Sequence, residues 1–76
     1  MKKTIENGKE FIEYESSSIK SSLYDTVIRL LIVTFMSGTS YQFAGVTQED
    51  YEAFSTCASA GRGFNTHIKK YVGDKI

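Results

Sequence analysis

Val27-Ile28-Arg29-Leu30-Leu31-Ile32-Val33-Thr34-Phe35-Met36-Ser37-Gly38-Thr39-Ser40-Tyr41-Gln42-Phe43-Ala44 carries the plainest structural signal in this 76-residue chain. Its first ten positions are rich in Val, Ile, Thr and Phe, side chains that fit a pleated surface better than a helix. The run is about half a bilayer span and contains Arg29, so it reads as a strand and not as a membrane helix. Asp25-Thr26 supplies the turn before it. Ser37-Gly38 ends it, and the alternating segment Ser40 to Ala44 pairs back.

Two registers are open for this hairpin, and a one-residue slip moves every side chain to the other face. A three-residue loop, Met36-Ser37-Gly38, puts Gly38 in the left-handed position and pairs Val33 with Tyr41 and Leu31 with Phe43. This register is preferred. A two-residue Ser37-Gly38 turn would set Tyr41 opposite Thr34 and place both aromatics beside Ile32. Either way, strand periodicity assigns Leu31, Val33 and Phe35 to one face and Ile28, Leu30 and Ile32 to the other. Both faces are apolar. The second face must be covered, by the segment Phe11 to Tyr14 folded across it or by a partner.

On the N-terminal side, Met1 to Glu10 is polar and carries Gly8, and it is expected to be a mobile tail ahead of a single domain spanning residues 11–73. Phe11 to Tyr24 reads as a strand, with Ser16-Ser17-Ser18 as a bend or bulge within it. On the C-terminal side the pattern becomes helical. Thr47 can cap with Asp50 three residues on, Val46 can staple onto Tyr51, and Phe54 and Ala58 follow at helical spacing. Ser59 to Gly63 breaks this helix, and Phe64, Ile68 and Tyr71 form a second stripe ending at Gly73. The expected fold class is α+β: a three-stranded antiparallel meander followed by two short helices packed on one face.

Read jointly, Ser16-Ser17-Ser18-Ile19, Tyr24-Asp25, Leu31-x-Val33-x-Phe35, Gly38, Tyr41-x-Phe43, Val46, Tyr51-x-x-Phe54, Ser59-x-Gly61 and Phe64-Asn65-x-x-Ile68 closely resemble the KTSC domain. That family is named for a C-terminal module of some lysyl-tRNA synthetases, and the resemblance spans about Tyr14 to Tyr71. It implies a small β-meander followed by helices, fused to the synthetase or standing alone in bacterial-type and phage-type proteins. RNA binding has been proposed for the family from the synthetase context. The chain departs from the pattern in four places. Phe43 replaces the second tyrosine of a Tyr-x-Tyr pair, Ser22-Leu23 precedes Tyr24-Asp25, and Thr47 stands where proline is common. Val27, Ile28, Leu30 and Ile32 are unusually apolar.

Composition narrows the function. Nine basic and nine acidic side chains give a net charge of zero, against the basic surplus of an ordinary nucleic-acid binder. The charges are segregated, however, and from Ser55 to Gly73 every formal charge is positive: Arg62, Lys69 and Lys70. A single cysteine cannot close an intramolecular disulfide, and no charged, apolar leader opens the chain, so a cytoplasmic location is expected. One histidine and one thiol make neither a zinc site nor a nucleophile-base set, so no cofactor, metal or enzymatic activity is expected. Cys57 is expected to be a buried packing residue and His67 a partly buried imidazole. Gly61-Arg62-Gly63, if it lies ahead of a helix, can present amides to an anion.

The expected function is a non-enzymatic binding module that occupies a protein surface or dimerises through Ile28, Leu30 and Ile32. One form of it is a phage or mobile-element inhibitor of a nucleic-acid-handling host complex. The alternative is RNA or single-stranded nucleic-acid binding through Arg62, Lys69, Lys70, Tyr41 and Phe43. In that case stacking of bases on the two rings would contribute about 1 to 3 kcal/mol each.

Overall fold

Residues 2–76 are described in a computed structural model, and their backbone first reverses at Asn7-Gly8. Both residues take positive φ, 53° and 77°, which suits the right-handed twist of the strands they join. The turn links β1 (Lys2–Glu6) to β2 (Lys9–Glu13), and the chain continues through β3 (Ile19–Asp25), β4 (Leu30–Phe35) and β5 (Ser40–Phe43). Helices α1 (Gln48–Ser55) and α2 (Ala60–Gly63) and a π-helical turn over Phe64–Ile68 follow, before β6 (Gly73–Lys75). The six strands form one antiparallel sheet in chain order.

This α+β architecture has twice the expected number of strands. Residues 2–10, read as a tail, form β1 and the start of β2; Met1 lies outside the described residues. The single strand expected over Phe11 to Tyr24 is two. Ser16 Oγ accepts from the amides of Ser18 and Ile19, both at 3.2 Å, and this local pairing helps hold the turn between β2 and β3. At the other end, β6 pairs with β5 beyond the point where the sequence pattern stops.

The β4–β5 register is the preferred one, with Leu31 opposite Phe43 and Val33 opposite Tyr41. Gly38 takes φ 94° in the three-residue loop. The β3–β4 turn is longer than expected. Asp25 Oδ1 accepts from the amides of Val27 and Ile28, at 2.9 and 3.2 Å, and Arg29 adopts φ 57°. Val27 and Ile28 therefore sit at the turn, 80% and 64% exposed, and β4 begins only at Leu30.

Thr47 caps α1 as expected, its hydroxyl accepting from the Asp50 amide at 3.1 Å. Ser59 caps α2, so Gly61-Arg62-Gly63 lies inside a helix and not in an anion-facing loop ahead of one. A Cβ on Gly61 would come 2.7 Å from Ser18 Oγ, and one on Gly63 would come 3.0 Å from the Phe54 carbonyl. The two glycines are thus close-packing sites, which offsets their poor helix propensity. The wider turn that follows carries Lys69 N–H to the Phe64 carbonyl at 3.0 Å.

The helices cover one face of the sheet. Tyr24 and Tyr51 stack there with ring centroids 4.2 Å apart, and Tyr24 donates to the Val46 carbonyl at 2.6 Å. Phe54 is fully buried, beside Tyr14 and Phe64 at centroid distances of 5.5 and 6.3 Å. Burial drives the phenols of Tyr24 and Tyr51 above their ordinary range and that of Tyr14 up to about 12. Cys57, expected to be buried, is only half-buried, and so is His67.

Candidate functional site

The pairing of the strands resolves the sheet into rows of residues that run across it. One row on the helix side is Glu10, Tyr24, Leu31, Phe43 and Gly73. The next is Ile12, Ser22, Val33, Tyr41 and Lys75. Because side chains alternate along each strand, the residues between these rows point the other way.

The central row of the opposite face is Thr4, Phe11, Leu23, Ile32, Gln42 and Asp74. Above it run Glu6, Lys9, Asp25 and Leu30, and below it Lys2, Glu13, Ser21, Thr34 and Ser40. Phe11, Leu23, Leu30 and Ile32 are neighbours in this lattice, and Ile28 joins Leu23, Leu30 and Ile32 around a shallow depression of about 170 Å³. Among the described residues no helix lies over the patch: both helices pack on the other side. Phe11 is 38% exposed, while Leu23, Leu30 and Ile32 are half-buried by one another and by their neighbours.

Within the monomer the second apolar face stays open, because Phe11 to Tyr14 lies beside β3 and does not fold across it. Pairing β2 with β3 satisfies the backbone of both strands, which lying across the sheet would not do. Ile12 and Tyr14 then enter the helix-side core, and Phe11 adds to the open face. Of the three interface residues expected from the sequence, Leu30 and Ile32 lie on the sheet, and Ile28 lies at the turn on its margin. Phe11 and Leu23 were missed. The alternation Phe11, Glu13 and Ser21, Leu23, Asp25 carried the signal, but only the pairing of β2 with β3 brings those residues beside Ile32.

The residues considered for nucleic acid do not converge fully. Tyr41, Phe43 and Lys69 line a groove of about 300 Å³ with Phe35, Phe64, Tyr71 and Gly73. Its walls are edge-to-face rings: Phe35 lies 5.3 Å from Phe64 and 6.0 Å from Tyr41, centroid to centroid. Phe43, 5% exposed, is too enclosed to serve as a stacking platform. A Cβ on Gly73 would come 2.4 Å from its ring, so β6 packs directly on it.

The adjacent lysines differ. Lys70 Nζ lies 3.1 Å from Asp50 Oδ2, and the Tyr71 hydroxyl donates to the same oxygen. The Tyr71 hydroxyl, and then Lys70, hold the Asp50 carboxyl below its usual range, and Asp50 in turn raises the Lys70 ammonium. Lys69 is exposed and makes no ion pair among the described residues. Arg62 is exposed on α2 and does not line this groove. Among the described residues there is no group of three or more His, Cys, Asp or Glu side chains that could hold a metal ion, and no helix is long and apolar enough to cross a membrane.

Comparison with known proteins agrees with this architecture. The search of curated proteins finds no match. Among solved structures, a KTSC domain protein from Yersinia pestis is 33% identical, with a TM-score of 0.82 over 90% of this chain and 97% of that one. The profile of the KTSC domain matches residues 15–71, including β3, β4, β5 and both helices. The chain therefore belongs to the KTSC domain family.

Proposed function

We propose that this protein is a non-catalytic binding module whose open sheet face seats on a protein surface. The observation that carries the reading is the apolar cluster Phe11, Leu23, Leu30 and Ile32, left uncovered on the side away from the helices. A contiguous apolar centre inside a polar rim is the usual anatomy of a protein interface. The rim also argues against a phosphate polymer, because Glu6, Asp25 and Glu13 outnumber Lys2 and Lys9. Inhibition of a nucleic-acid-handling complex, in a reducing cytoplasm, is a narrower form of the same proposal.

Leu30→Lys and Ile32→Glu test it. Both positions border solvent, so each variant should keep the circular dichroism and the unfolding midpoint of the parent within a few degrees. Each should also lose, by tenfold or more, the protein partners retained from the source cell or the self-association seen by light scattering. Folded variants that keep every association would overturn the reading.

A second reading, binding of single-stranded nucleic acid, is favoured by unpaired Lys69 beside the aromatic groove and by Lys75, directly across from Tyr41. With two or so phosphate contacts, affinity should fall with salt at a log-log slope of about −1.5 for a single strand. Band-shift titrations at two salt concentrations measure the slope, and absence of binding at low salt removes this reading.

A further inference from the structure

The three rows of the open face carry a self-complementary charge pattern. On β1, Glu6 lies in the upper row and Lys2 in the lower; on β2 the signs reverse, with Lys9 in the upper row and Glu13 in the lower. The apolar row Phe11-Leu23-Ile32 runs between them. Consider a second copy placed face to face and related by a twofold axis along that central row. Strand order is then preserved while the upper and lower rows exchange. Lys2 of each copy faces Glu6 of the other, and Lys9 of each faces Glu13 of the other. Farther along the rows, Asp25 meets Ser21 and Leu30 meets Thr34; the one like-charge contact is Asp74, which meets its own copy on the edge strand β6, at the far end of the central row beyond the apolar residues. Phe11, Leu23 and Ile32 of the two copies meet along the axis.

Resting on the reading of the open face as a contact surface, we infer that its partner is a second copy of this chain, forming an isologous sheet-on-sheet dimer about the Phe11-Leu23-Ile32 row. Such packing sets the strands of the two sheets within about 30° of each other, a rotation that long Lys and Glu side chains near the axis can span. None of Lys2, Glu6, Lys9 and Glu13 is engaged in an ion pair among the described residues, so all four are available. The patch measures about 20 by 17 Å from strand spacing and rise, well under the usual ~800 Å² per partner, so the dimer is weak and concentration-dependent.

Sedimentation equilibrium of the full chain, from micromolar to millimolar and at low salt, tests this. The parent should dimerise, Ile32→Glu should remain monomeric, and Lys9→Glu should weaken the dimer about tenfold by setting like charges opposite each other twice per dimer. The double variant Lys9→Glu/Glu13→Lys should restore dimerisation. Residues 9 and 13 of one chain lie about 13 Å apart along β2, too far to pair within it, so rescue arises only between copies. A parent that stays monomeric to millimolar concentration overturns the dimer and leaves the open-face reading to its own variants. A dimer indifferent to the charge swaps, or one that survives Ile32→Glu, also overturns the dimer, the latter together with that face as its contact surface.

Discussion

Leu31→Asp should leave the chain unfolded in water at room temperature, whereas the same change one residue on, Ile32→Asp, should leave it folded. Leu31 is fully buried in the row between Tyr24 and Phe43, under the helices. Replacing it removes a well-packed side chain and sets a carboxylate among aromatic rings with no cation in the row. Together the lost packing and the buried charge cost more than about 5 kcal/mol, comparable with the whole stability of a small domain. Ile32 faces the opposite way and borders solvent, where a carboxylate keeps most of its hydration. Far-UV circular dichroism and one-dimensional proton spectra of the two variants make the comparison. Equal loss of fold in both would contradict the assignment of an open face, and an intact Leu31→Asp would contradict the register of β4.

Phe54→Ala should cost about 3 to 5 kcal/mol, the range for emptying a buried aromatic site. Phe54 on α1 is fully buried and meets the rings of Tyr14 and Phe64, so it ties the first helix both to the segment after β2 and to the π-helical turn. The hole cannot collapse easily, because α2 is already held against α1 where a Gly63 Cβ would be only 3.0 Å from the Phe54 carbonyl. Chemical denaturation should therefore show a midpoint less than half that of the parent, or no native baseline. Phe54→Leu, which refills most of the volume, should recover most of the loss. A Phe54→Ala midpoint close to the parent's would mean that α1 contributes little to the core.

Several parts of this fold were legible in the residues because they depend on neighbours in sequence. The Thr47 cap, the left-handed Gly38 and the three-residue β4–β5 loop follow from local backbone preferences, and the loop in turn sets Leu31 against Phe43. The alternation of β4 likewise placed Leu30 and Ile32 on one face and Leu31 and Val33 on the other. Asn7-Gly8 is an equally strong hairpin turn by residue type, but its flanks are charged and carry little apolar alternation, so periodicity alone reads them as a tail. Edge strands look like this, since their outer positions face water.

What the residues determined by themselves is the α+β class, the family, the central hairpin and the apolar character of both of its faces. Tertiary structure decided the rest. Whether Phe11 to Tyr14 lies over the sheet or beside it depends on where β2 finds its hydrogen-bonding partner, twelve residues downstream where Phe11 meets Leu23. The glycines at 61 and 63 became helical because α2 must approach Ser18 and Phe54 closely, a demand made by packing and not by propensity. The charge rows that make the open face complementary to itself exist only once β1 and β2 pair in register, because Lys2 and Glu13 are neighbours in the sheet and distant in the chain.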